Sequence, residues 1–311
     1  MALGGGHGLS ASLQALRHTT EAITAVVTVA DDGGSSGRLR QQFDILPPGD
    51  LRMALAALCE DTQWGHQWSA VLQHRFGGTG ALAGHSVGNL LLAGFTEVLG
   101  GPVAALDAVG AVLGVRGRVL PMSCEPLDIE ADVVGLADDP RVSRRIRGQV
   151  AVATTPGQVR RVRLLPEAPA VCPEAVAAVD RADVLLLGPG SWFSSVIPHL
   201  LVPDLRDALQ RSRAHRVVIA NLGPEAGETT GFTTERHLHV LSQHAPDLRV
   251  DTVLVDAGAL PAGSDRDHLD RTAATLGALV HVAAVAGAGA AHDPHALAAA
   301  LGSVLARGDR A

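Results

Sequence analysis

Short apolar runs recur along the chain, each ending in a glycine-rich or acidic turn and followed by a segment of helical spacing. Residues 2–3 end in Gly-Gly-Gly-His-Gly, residues 23–30 in Asp31-Asp32-Gly33-Gly34, and residues 183–187 in Gly188-Pro189-Gly190-Ser191. Further runs at 216–220 and 251–255 end in Asn221-Leu222-Gly223 and Asp256-Ala257-Gly258; a last run, 279–285, precedes a helix over 294–305. Unbroken apolar runs of strand length belong to strands buried on both faces, as in a parallel sheet. Between them, Leu9, Leu13 and Leu16 share one helical face, as do Leu51, Ala54, Leu55 and Leu58 behind a capping Asp50. Residues 64–115 keep helical spacing apart from two glycine-rich breaks. The pattern predicts an α/β fold, a Rossmann-like parallel sheet with helices on both faces. Residues 118–165 alternate instead, which predicts a small β-rich insertion or flap within one domain spanning 1–311. In such a sheet a ligand lies outside the carboxyl ends of the strands, where the polar turns should converge.

Composition narrows the chemistry. At 311 residues and 47% hydrophobic the chain can bury a substantial core. A net charge of −7 without a basic, aromatic-interleaved block excludes a nucleic-acid surface. All 25 basic residues are arginine and there is no tyrosine, which removes Schiff-base chemistry, a P-loop lysine and a tyrosine proton donor. Cys59, Cys124 and Cys172 lack CxxC spacing, so three reduced thiols in a cytoplasmic protein are expected, with no disulfide framework. The N-terminal "MALGGGHG" has no signal-peptide pattern, and the apolar stretch 276–291 is too short to span a membrane. No membrane association is expected.

Several motifs carry candidate chemistry. Gly4, Gly5, Gly6, His7 and Gly8 offer backbone amides and a helix N-terminus to a phosphate, although a tight strand-to-helix turn needs the same glycines. The Gly6-Gly8-Ala11 spacing also fits a dinucleotide fingerprint, with Asp31 at the next strand end for a ribose, which admits NAD as a bound nucleotide. The segment "DDGGSSGRLR", read as a polar loop, supplies Asp31, Asp32, Ser35, Ser36 and Arg38; "PPGDLR" adds Asp50 and Arg52. Such carboxylates can hold Mg²⁺ and such arginines can fork onto phosphate, or the loop can be an Asx turn with Asp50 as a cap. His85 and Asn89 could bond a base, ribose or phosphate, or serve a helix start capped by Ser86. Gly188, Gly190 and Ser191 form a second candidate anion nest, or a proline-stiffened turn. His292-Asp293 with His295 reads as a helix cap at Asp293, and no GxSxG or HExxH pattern occurs.

Together, "LGGGHGL", "VVTVADDGGSSGRLR", "PPGDLRMALAAL", "FGGTGALAGHSVGNLLLAG", "VLPMSCEP", "LLLGPGS" and "IANL", in this order, make the chain resemble the CofD-like superfamily and, within it, the YvcK-type gluconeogenesis factors. The resemblance implies a CofD-like fold, a cytoplasmic homodimer, and a role in central carbon metabolism, cell-wall precursor supply and cell shape. It implies binding of UDP-sugars such as UDP-N-acetylglucosamine. The diphosphate would lie on the 4–8 and 188–191 turns, oriented by Asn89 and Asn221, with Arg38 and Arg52 answering its charge. The related 2-phospho-L-lactate transferases use aspartates for Mg²⁺ at positions matching Asp32 and Asp50, which makes Mg²⁺-dependent phospholactyl-type transfer the alternative. Arg52, two residues after Asp50, suits an anionic ligand better than a second acidic metal ligand would. Two departures stand out: only residues 1–3 precede the first glycine turn, where related chains have a fuller strand, and Ala290-Ala291 stand where an arginine is expected.

Overall fold

A computed structural model describes residues 1–139, 141–225, 227–260, 263–289 and 291–308. Its strands, in chain order, are β1 (Ala2–Gly4), β2 (Thr24–Val27), β3 (Arg118–Pro121), β4 (Asp128–Val134), β5 (Ser143–Arg147), β6 (Gln158–Leu165), β7 (Val184–Leu187), β8 (His215–Ile219), β9 (Thr252–Asp256) and β10 (Leu279–Ala283). Seven of them form one sheet in the order β10-β9-β8-β7-β1-β2-β3, parallel throughout. The chain winds outward from β1 to β3, then returns to the other side of β1 and winds out again from β7 to β10. Connection order therefore reverses between β1 and β7, where Leu3 sits in register with Leu187.

The apolar runs become these strands because the helices bury them on both faces. Leu3, Val26, Val27, Leu186, Leu187, Val218 and Leu254 are all buried. Helix α1 (Gly6–Leu16) follows β1 directly and packs on α3 (Pro48–Leu58) and α12 (Pro294–Gly308). Pro47 is the N-cap of α3, so Asp50 lies inside its first turn instead of capping it, and Pro48 takes the position that needs no N–H.

The "DDGGSSGRLR" segment differs from its reading as a loop: Gly34–Phe43 is α2. Its glycines and serines have poor helix propensity, and contacts supply what propensity lacks. The Gly37 amide donates to the Gly33 carbonyl at 2.9 Å, and a side chain at 37 would collide with the Asp32 carbonyl. Farther along, Leu39 is buried against Ile45 and Ala93.

The β-rich insertion is smaller than 118–165 suggested, because β3 joins the parallel sheet beside β2. The antiparallel part is the three-stranded sheet β5-β4-β6, with the short helix α7 (Gln149–Ala153) between β5 and β6. Ile129, Ala131 and Val133 of β4 point inward and are buried. The outer face carries Asp128, Glu130 and Asp132, met by Arg40, Arg145, Arg147 and Arg163 in a lattice of ion pairs. None of the helices among the described residues is long and apolar enough to cross a membrane.

Candidate functional site

Two turns meet at the reversal point. The Gly188 amide donates to the Leu3 carbonyl at 3.2 Å, and Ser12 Oγ donates to the Gly188 carbonyl at 3.0 Å. Gly8 presses on the Pro189 carbonyl so closely that a Cβ there would overlap it. Asn221, at the end of β8, straps the second turn from both sides: its Oδ1 accepts from the Gly190 amide at 2.9 Å and its Nδ2 donates to the Gly190 carbonyl at 3.0 Å. Helix α1 starts at Gly6, whose φ of +56° suits glycine; its N-cap Gly5 has no side chain to cap it, and the Gly6 amide bonds Asp50. The N-terminal turn of α1 and the 188–191 turn share one edge of a cavity of about 650 Å³, lined by His7, Gly8, Gly190, Asn221, Asp256 and His292 among others.

The far wall carries two acids, Glu225 and Asp256, that the sequence reading assigned to no site. Burial alone would raise the Asp256 carboxyl, but backbone N–H groups of Val285, Ala286, Gly258 and Ala259 hold it below its ordinary value. Ser191 Oγ donates to Glu225 at 2.9 Å. Glu228 is buried; its Oε1 accepts from the Phe193 amide at 3.2 Å, and Ser194 and the Trp192 amide also bond its carboxylate. Burial, reinforced by the Glu225 charge, pushes Glu228 up to about 7. No motif marks these glutamates; the signal available was only that they follow a strand end, as Asp256 does. Asp293 does cap α12, accepting from the Ala296 amide at 2.8 Å, and the neighbouring His292 lines the cavity. Of the Ala290-Ala291 departure, Ala290 lies outside the described residues.

On the β2 side a second polar group lies behind the first turn. Asp50 fits under Gly5, where an added Cβ would stand 2.5 Å from its Oδ2. Burial first, then the Asp31 charge, push Asp50 up to about 7, against the opposing pull of the Gly6 amide and Arg52. Asp31 accepts from the Gly33 amide at 2.9 Å, and its other oxygen faces Gly49, as does Ser36 Oγ. A buried string follows. Arg52 Nε donates to Asn89 Oδ1 at 2.9 Å, Asn89 Nδ2 donates to Ser35 Oγ at 3.0 Å, and Ser35 Oγ lies 2.9 Å from His85 Nδ1. Arg52 Nη1 is buried without a partner. Burial and Arg75 lower Arg52 to about 10, and burial with Arg38 and Arg75 lowers His85. Gathered like charges of this kind favour an anion. Arg38 and Arg75 themselves donate to the carbonyls of Ala83 and Gly84 at 2.9 and 3.0 Å. Ser86 stands at the N-cap of α5 (Val87–Leu99), but its hydroxyl makes no capping bond.

The sequence-derived residues thus fall into two neighbouring groups. Gly4, Gly5, Gly6, His7, Gly8, Gly188, Gly190, Ser191 and Asn221 surround the junction of the two turns, and Asp31, Ser35, Ser36, Asp50, Arg52, His85 and Asn89 form the polar group behind it. Asp32 faces elsewhere: its Oδ1 accepts from the Val150 amide at 3.0 Å, capping α7 of the insertion. The acid whose charge acts on Asp50 is Asp31, and the described residues contain no cluster of three His, Cys, Asp or Glu side chains arranged to hold a metal.

Comparison with known proteins places the chain among relatives of matching sequence and fold. The family model described as "2-phospho-L-lactate transferase CofD" matches residues 1–278. A "Putative gluconeogenesis factor" of Mycobacterium tuberculosis is 61% identical over 99% of this chain and 90% of its own length. The "Gluconeogenesis factor" of Bacillus subtilis is 39% identical over 83% of this chain and 78% of its own. A crystal structure of a UPF0052 family member from Bacillus halodurans superposes with a TM-score of 0.84 at 35% identity, covering 96% of this chain and 97% of that one. With its fold and its sequence shared with these proteins, the chain belongs to the CofD family, alongside the members named gluconeogenesis factors.

Proposed function

We propose that this chain is a cytoplasmic regulatory protein that binds a nucleotide sugar, UDP-N-acetylglucosamine, and through it acts on central carbon metabolism, cell-wall precursor supply and cell shape. The observation that carries the reading is the junction of the 4–8 and 188–191 turns, locked by Asn221 and opening on a cavity of about 650 Å³. Backbone amides at two turns and a helix start are suited to a diphosphate without any lysine. The cavity reaching from Asn221 to His292 offers room for the nucleoside or the sugar. Arg52, with its unpartnered Nη1, supplies positive charge behind the turn. NAD is a competing occupant through the Gly6-Gly8-Ala11 spacing, and a homodimer is the expected assembly.

Calorimetry with UDP-N-acetylglucosamine on the folded chain tests the reading. Saturable binding with one site per chain is expected, and no heat at millimolar ligand overturns it. Titration followed by NADH fluorescence separates the two nucleotides.

A second reading, Mg²⁺-dependent transfer of a phospholactyl-type group, is favoured by family membership and by the Asp31–Asp50 proximity. Those two carboxylates, not Asp32, are the groups that would hold a cation, which would supply charge neutralisation at a phosphoryl group. This reading requires metal-dependent turnover that Asp50→Ala abolishes while the fold is kept. Lack of turnover with nucleotide-activated phospholactate and a deazaflavin acceptor removes it.

A further inference from the structure

The insertion is attached to the body of the protein by two strands of chain. One leaves β3 and passes through Met122, Ser123 and Cys124 into β4; the other leaves β6 and reaches Cys172 at the start of α8 (Pro173–Asp180). The two run side by side at their roots, where the Cys172 amide donates to the Met122 carbonyl at 3.2 Å. The thiols of Cys124 and Cys172 are hydrogen-bonded to each other. Cys124 is exposed, whereas Cys172 is fully buried and its Sγ lies 3.2 Å from Glu174 Oε2, an alternative acceptor for its one proton. An accessible thiol beside a sheltered one is the arrangement of an attacking and a resolving cysteine.

We propose that Cys124 and Cys172 form a peroxide-oxidisable pair, and that their disulfide staples the two roots of the β4–β6 insertion. In the first step the Cys124 thiolate attacks one oxygen of hydrogen peroxide. The S–O bond forms, the O–O bond breaks, and hydroxide leaves to become water. In the second step the Cys172 sulfur attacks the sulfenic sulfur. The S–S bond forms and the S–O bond breaks, and the departing hydroxide takes up the Cys172 proton as a second water. Two thiols and one peroxide give one disulfide and two waters.

The surroundings fit these roles. The Cys172 thiol donates to the Cys124 sulfur and lowers its pKa, against the opposing effects of burial and of the Glu174 and Glu125 charges. Hydrogen bonding to Cys124 and burial hold Cys172 well above the ordinary thiol range, so it stays protonated until the sulfenic acid forms. Arg118, whose fork is taken by Asp107, also feels the Glu174 charge. The remaining thiol, Cys59, is buried on α3's end and raised by burial, so it serves as an internal control.

The test uses the reduced full-length chain treated with one equivalent of hydrogen peroxide. Free thiols are counted by alkylation, and the linked peptides are mapped by mass spectrometry without reductant. The expected result is simultaneous loss of Cys124 and Cys172 into one cross-linked peptide pair, reversal by dithiothreitol, and an unreacted Cys59. Cys172→Ala should instead trap a sulfenic acid on Cys124, detectable by dimedone. Oxidation of Cys124 to sulfinic acid with Cys172 still free in the wild-type chain, or equal loss of all three thiols, overturns the proposal; both are read without any variant.

Discussion

Gly8 has no room for a side chain, since a methyl group would overlap the Pro189 carbonyl across the junction of the two turns. Gly8→Ala is therefore expected to cost about 1–3 kcal/mol as overpacking and to weaken nucleotide-sugar binding by prising the turns apart. Gly77→Ala, where nothing lies within 4 Å, is the matched control and should leave both unchanged. Thermal melts and calorimetry on the two variants check this. Asp50 makes a second prediction at this scale. Unfolded it releases its proton near 3.8 and folded near about 7, so between those pH values the folded chain binds more protons and stability falls as pH rises. The effect is on the order of 4 kcal/mol across that window. Asp50→Asn should remove that slope and be more stable than the wild type at pH 8 while matching it near pH 4. Urea melts of both proteins at the two pH values decide it, because contributions from Glu228 and the buried histidines cancel in the comparison. Equal slopes would contradict the assigned burial of Asp50.

The short helix α7 is tied to the body of the protein by buried Val152, by Gln149 bonding the Ser194 carbonyl, and at its N-terminus by Asp32, which accepts the Val150 N–H. Asp32→Ala should cost about 1 kcal/mol as a lost helix cap and speed hydrogen exchange at Val150 and along α7, with Asp32→Asn close to wild type. Unchanged exchange in Asp32→Ala would show that the cap does not hold the insertion. Sequence alone gave Asp32 to the ligand, since its partner lies 118 residues away and belongs to a different sheet. The same limit explains α2: Gly34, Ser35, Ser36 and Gly37 read as a loop by propensity, and only packing beneath the Asp32 carbonyl and bonding to His85 and Asn89 makes them helical. Where burial dictates the pattern, as in β2, β7, β8 and β9, the apolar runs located the strands to within a few residues. The outer strand β3 misled because its short run, Val119 to Leu120, is followed at once by alternating residues of β4.

At the scale of the molecule, the sheet order brings the turns after β1 and β7 into contact although they are 180 or so residues apart in sequence. That convergence was legible as a class, since polar turns all followed buried strand ends. Which turns would touch was not, because it depends on where the winding reverses. Glu225 and Glu228 escaped notice for a related reason: their partners, Ser191 and Phe193, lie after a different strand. Hydrogen exchange with and without UDP-N-acetylglucosamine measures the central claim most directly. Binding across the junction predicts that peptides covering residues 4–9 and 188–193 slow together at saturating ligand, while the outer face of β4–β6 is unchanged. Exchange at both turns that stays the same in the presence of saturating ligand would contradict it.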